Sequence, residues 1–197
     1  MIKPTPLDQS GQLNQAKPTL RWMFQTAGRT LALGFGSGLS PLAPGTVGTL
    51  WAWALFLMGQ FFFSTEDWIW IIGSGLITAC WVCGQVSDEL GVADFGGIVL
   101  DEILAFWLVL LFILPAPLWM QALAFVLFRF FDAVKPGPIG AIDRYFKNCT
   151  WISLDSPTTI PKILWRGFGI VADDLAAAFA TLIIIALLSS TQLLPSF

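Results

Sequence analysis

The chain has 197 residues, of which 56% are hydrophobic and 12% charged, with 17 Phe, 10 Trp and no histidine. Water-soluble domains carry about 25% charged residues, so this composition belongs to a chain built for lipid. A net charge of −3 leaves no basic footprint for nucleic acid, and partners are expected in the bilayer.

The first thirty residues, with Pro4, Pro6, Gln9, Gln12, Asn14 and Gln15, have no apolar stretch of the signal-peptide kind and are expected to form a flexible polar tail. Leu31 to Thr46 is rich in Gly and Ser and carries Pro41 and Pro44. It is expected to be a loop or re-entrant segment at the membrane surface rather than a regular span. Apolar runs follow at Val47 to Phe63, Trp68 to Val86, Ile98 to Leu114, Leu118 to Phe131 and Ile170 to Leu188. A bilayer core of about 30 Å needs about twenty helical residues, so several of these runs are minimal. The expected fold is an all-α integral membrane protein with about four to five transmembrane helices, residues 31–190 forming one embedded domain.

Cys80 and Cys83 make a C-x-x-C inside the second run. Zinc would need two further soft ligands, and with no histidine and Cys149 far along the chain the pair reads as two buried thiols. Lys3, Lys17, Arg21 and Arg29 precede the first run. Arg129, Lys135, Arg144, Lys147, Lys162 and Arg166 lie between the end of the fourth run and the start of the fifth. With five spans and the N-terminus inside, all ten basic residues lie at the cytoplasmic side.

The same topology brings nine of the thirteen acidic residues toward that face: Asp88, Glu89, Asp94, Asp101, Glu102, Asp132, Asp143, Asp173 and Asp174. Three of these sites, at 101–102, 132 and 173–174, are embedded in apolar sequence, where an ionisable group points to function. Each pair alone is also what a helix N-terminus attracts. Three sites from three spans repel one another and need a positive partner, and carboxylates without histidine suit magnesium, manganese or calcium. Ion pairs with Arg129 and Lys135 are the structural alternative, Asp132 and Lys135 being i,i+3 neighbours. Lys135, Arg144 and Arg166 are candidates for phosphate oxygens. Lys147 and Lys162 read as membrane-surface anchors. The block Gly34-Phe35-Gly36-Ser37-Gly38-Leu39-Ser40 offers backbone N–H groups to a phosphate or glycerol headgroup, although it is neither a P-loop nor a dinucleotide motif.

Five blocks in order resemble one family, the bacterial phosphatidylglycerophosphatase A enzymes. They are Gly34 to Pro41 with Ala43 to Leu50; Ile98-Val99-Leu100-Asp101-Glu102; Phe128-Arg129-Phe130-Phe131-Asp132 leading to Lys135-Pro136; Asp143-Arg144; and Gly167-Phe168-Gly169-Ile170 leading to Asp173-Asp174. The resemblance implies magnesium-dependent hydrolysis of phosphatidylglycerophosphate to phosphatidylglycerol and inorganic phosphate, for phospholipid biosynthesis, in a bacterial inner membrane. It implies catalytic roles for Asp94, Asp101, Glu102, Asp132, Lys135 and Arg144, and Mg²⁺ held by Asp101, Glu102, Asp173 and Asp174. Gly36, Ser37, Gly38, Ser40, Arg129, Lys135 and Arg144 are the expected substrate contacts. Ala93 and Phe95 stand where relatives often carry histidine, and the stretch from Lys147 to Trp165 is longer than the usual connection. Phosphohistidine chemistry and a cysteine phosphatase loop are excluded by residue type, leaving activated water or a carboxylate nucleophile. A cation-coupled transporter, or a phosphatase for another lipid phosphate, are the alternative readings.

Overall fold

The computed structural model describes residues 18–92, 95–147 and 159–191, and among them every regular element is helical. In chain order these are α1 (Leu20–Met23), α2 (Ala27–Ala32), a 3₁₀ segment (Gly34–Leu39), α3 (Pro44–Gly59), α4 (Thr65–Leu90), α5 (Leu100–Ile113), α6 (Leu118–Val134), α7 (Pro138–Lys147) and α8 (Ile160–Ser190).

The centre of the bundle is α5, which packs against α3, α4, α6 and α8. Beyond its first turn its sequence is apolar all round, and Ile103, Leu104, Ala105, Phe106, Val109 and Leu110 are all buried, as a helix with no polar face there requires. The outer surface is apolar as well, with Trp51, Trp70, Ile77, Val126 and Ile183 exposed. A belt of that kind fits lipid rather than water.

Two helices, α4 and α8, are long and apolar enough to cross a membrane. The others are shorter than the expected spans. With 16, 14 and 17 residues, α3, α5 and α6 rise only about 24, 21 and 26 Å, less than the roughly 30 Å of a hydrocarbon core.

Local signals explain most helix ends. Ser64 and Asp67 close a reciprocal capping box at the start of α4, and Gly91 ends that helix in the left-handed region with φ 67°. The segment expected as a loop at 31–46 is more ordered. It continues α2 to Ala32, makes two short 3₁₀ turns kinked at Phe35 and Gly36, and enters α3 at Pro44, whose fixed φ suits a first turn. The last helix begins at Ile160 rather than Ile170, again with a proline in its first turn. Its first ten residues carry Lys162 and Arg166, so hydropathy alone hides them.

That early start matters because α4 and α8 touch backbone to backbone. A Cβ on Gly84 would sit 2.0 Å from the Ile163 carbonyl oxygen, and one on Gly167 would sit 1.8 Å from that of Cys80. Small residues permit such an approach between helices in lipid. The pairing runs antiparallel and sets the height of α8 against α4.

Candidate active site

Asp101 and Glu102 occupy the first turn of α5, where the helix dipole favours them. Asp173 and Asp174 do not share that explanation, since they lie midway along α8 rather than at its start. Asp132 lies in the last turn of α6. The folded chain brings these five carboxylates together: Asp174 feels the charges of Asp132, Asp101, Asp173 and Glu102. Asp101, Asp132, Asp173 and Asp174 are each less than 9% exposed.

Two cations are threaded into this cluster. The Arg129 guanidinium donates through Nη1 to Glu102 Oε1 at 3.0 Å and Thr49 Oγ1 at 3.3 Å, and pairs with Asp132 Oδ2 at 2.6 Å. Arg129 therefore holds α3, α5 and α6 in register. The ion-pair alternative put Lys135 beside Asp132, its i,i+3 neighbour on a continued helix. Instead it leaves α6 in the left-handed region with φ 47°, and its Nζ reaches Asp143 Oδ1 at 2.9 Å and also Asp173. Burial works against the Lys135 ammonium, but Asp173 and Asp143 outweigh it and hold its pKa above the ordinary lysine range.

Close packing at α3 completes the site. A Cβ on Gly45 would stand 2.1 Å from Glu102 Oε1, so only glycine lets that carboxylate lie against α3. Thr49, one turn on, returns its hydroxyl to the Gly45 carbonyl at 2.8 Å. Cys83 is buried beside Asp101 and Asp174. The roles of Gly45, Thr49 and Cys83 in shaping the site were not foreseen from sequence. Gly45 and Thr49, four apart in an otherwise apolar helix, were the available signal.

Other expected residues lie elsewhere. Asp88 accepts from Arg166 Nη1 at 2.6 Å, and Glu89 pairs with Arg29 Nε at 2.7 Å, so neither joins the cluster. Arg166 and Lys162 are 2% and 3% exposed. Arg166 is thus spent on the α4–α8 contact rather than offered to phosphate, and Lys162 is no surface anchor. Arg144 is exposed on α7 and has no ion-pair partner among the described residues. In the glycine-rich block the N–H groups of Gly36 and Gly38 both donate to the Leu33 carbonyl, and that of Ser40 to Ser37. Ser37 Oγ and Ser40 Oγ likewise donate to carbonyls nearby. The block is consequently a self-contained turn, not an open row of donors. Asp94, Asn148 and Cys149 lie outside the described residues.

The donor chemistry suits a hard cation in two respects. Five carboxylates face Arg129 and Lys135, an excess of negative charge, and Glu102 Oε2 is buried without a hydrogen-bond partner. Among the described residues no three such side chains converge at ligand distance as they stand.

Residues 30–156 match the family model described as phosphatidylglycerophosphatase A. The chain belongs to the phosphatidylglycerophosphatase A family. The Haemophilus influenzae phosphatidylglycerophosphatase A is 35% identical over 159 residues, covering 80% of this chain and 86% of that protein. The Escherichia coli protein of the same name is 37% identical over 126 residues, covering 64% and 72%. A Bacteroides thetaiotaomicron protein, provisionally named phosphatidylinositol-3-phosphatase, is 28% identical over 79% of this chain and 89% of its own length. No solved structure matches the chain at a significant level. The family match ends before α8, so Asp173 and Asp174 join the site through the fold.

Proposed function

We propose that this protein hydrolyses the terminal phosphate monoester of phosphatidylglycerophosphate, giving phosphatidylglycerol and inorganic phosphate for phospholipid biosynthesis. The observation that carries the reading is the convergence of Asp101, Glu102, Asp132, Asp173 and Asp174 around Arg129 and Lys135, in a chain of this family. Asp101, Glu102, Asp173 and Asp174 are the residues that would hold magnesium, which when bound would supply Lewis-acid polarisation of the phosphoryl oxygens.

The chain's own groups have separable tasks. Arg129 positions Glu102 and Asp132 through Nη1, while its buried Nε has no hydrogen-bond partner among the described residues and is left as a donor toward the phosphate. Lys135 and the exposed Arg144 stabilise charge on the equatorial phosphoryl oxygens. Water attacks phosphorus, the bond to the glycerol oxygen breaks, and that oxygen leaves with a proton. The proton that water gives up passes to a carboxylate of the cluster, and the leaving glycerol oxygen takes one up. In the membrane, four to five helices of a single embedded domain cross or enter the bilayer of the bacterial inner membrane, with the acids toward the cytoplasm.

Phosphate release from phosphatidylglycerophosphate by the purified protein in detergent, with and without magnesium and alongside Asp173→Asn, tests this reading. Metal-dependent release lost in the variant is the expected result; no release from folded wild-type protein would overturn it. The Bacteroides relative favours one second reading, a phosphatase for phosphoinositides. Faster release from phosphatidylinositol 3-phosphate than from phosphatidylglycerophosphate would select it.

A further inference from the structure

A cavity of about 300 Å³ lies on the outer side of α5, between α5, α3 and α4 and below the 3₁₀ segment. Phe35, Ile71, Ser74, Thr78, Leu104 and Trp107 are among its walls, which are almost wholly apolar. The two hydroxyls are no exception. Ser74 Oγ donates to the Trp70 carbonyl at 2.6 Å and Thr78 Oγ1 to the Ser74 carbonyl at 2.8 Å, so each is satisfied within its own helix. A polar ligand would find no partner here, whereas a hydrocarbon chain would lose nothing.

Direction identifies the occupant further. The walls run from Thr78 to Ile71 along α4 and from Leu100 to Trp107 along α5, about 10 Å of each antiparallel helix. Since α4 is long and apolar enough to cross a membrane, the groove lies along the path of an acyl chain. Its upper end is Leu100, directly before Asp101 and Glu102 in the first turn of α5. Phe35, 61% exposed, stands at the mouth.

We propose that this groove holds one acyl chain of the lipid substrate while the headgroup passes over the start of α5 to the acids. The inference rests on the lipid phosphatase reading above. In phosphatidylglycerophosphate a phosphodiester and a three-carbon glycerol separate the scissile phosphate from the diacylglycerol. A tail site and an acid cluster on different faces of one helix turn match that separation.

Ser74→Trp and Thr78→Trp fill the groove from exposed positions outside the acid cluster. In mixed micelles the KM for dioleoyl phosphatidylglycerophosphate should rise about tenfold, through lost contact with about two methylenes, with kcat kept. Hydrolysis of the dihexanoyl lipid should stay unchanged. Equal effects on both lipids, or none on either, would overturn the tail site. Absence of turnover of either lipid by wild-type protein would instead overturn the phosphatase reading. The groove is then judged by labelling alone, using phosphatidylglycerol with a diazirine in one acyl chain. Crosslinks concentrated in residues 71–78 and 100–107 and diminished in Ser74→Trp support it. Uniform labelling of the lipid-facing surface, or equal labelling by a phosphatidylcholine probe, would assign the groove to bulk lipid and overturn the inference.

Discussion

Arg129 shows how tightly the acids depend on a single cation. Its Nη1 serves Glu102 and Asp132 together, the first largely and the second almost wholly shielded from water. Removing one partner of a buried charge group costs about 3–5 kcal/mol, because the others are left uncompensated. Arg129→Met should therefore lower the thermal midpoint in detergent markedly, and adding Glu102→Gln should recover part of that loss without recovering phosphate release. Gly45 is the other sensitive point. Gly45→Ala pushes a methyl into Glu102 Oε1 and should reduce kcat far more than it raises KM, measured with phosphatidylglycerophosphate under saturating magnesium. Lys135 behaves differently with pH. Its pKa is raised on folding, so its stabilising contribution is complete below the unfolded lysine value of about 10.4 and fades only above it. Between pH 6 and 9, wild type and Lys135→Gln should consequently differ in stability by a constant amount.

Among the helices, the contact between α4 and α8 decides where the last acids stand. Gly167→Leu places a side chain against the Cys80 carbonyl and must separate the two helices. Overpacking of this kind costs about 1–3 kcal/mol or more, and the displacement carries Asp173 and Asp174 with it. The expected outcome is a lower unfolding midpoint together with a loss of phosphate release larger than the fall in folded fraction.

The same contact marks the limit of what sequence patterns reveal. The acids themselves were legible, since Asp101, Asp132 and Asp173 interrupt apolar runs and converge as expected. The start of α8 was not, because Lys162 and Arg166 look like surface charges until Asp88 is found opposite Arg166. The alternative pairing of Lys135 with Asp132 fails for a related reason: a helical spacing rule does not foresee a left-handed residue that ends the helix. The glycine block was recognisable as special, but its N–H groups close on Leu33 and Ser37, a detail of backbone geometry that composition does not encode.

At the scale of the whole molecule, the proposed topology with the basic residues inside predicts one orientation. In a chain freed of native cysteines, Glu66→Cys before the body of α4 should react with a membrane-impermeant thiol reagent from the periplasmic side. Ala141→Cys on α7 should react only after the inner face is opened. Both positions are exposed, so silence at either would reflect the membrane rather than the fold.

The depth of α5 has a further consequence. The Cys83 thiol meets the Asp101 backbone, whereas α4 continues to Leu90, about 10 Å higher. On the proposed reading, the acids therefore lie at the floor of a well rather than on a rim. A lipid would then arrive and depart sideways, between helices, while the small anion it sheds would leave upward into water. Two products with two separate exits would not wait for each other, and the lipid slipping back into the bilayer would be parted from the phosphate needed to remake the bond.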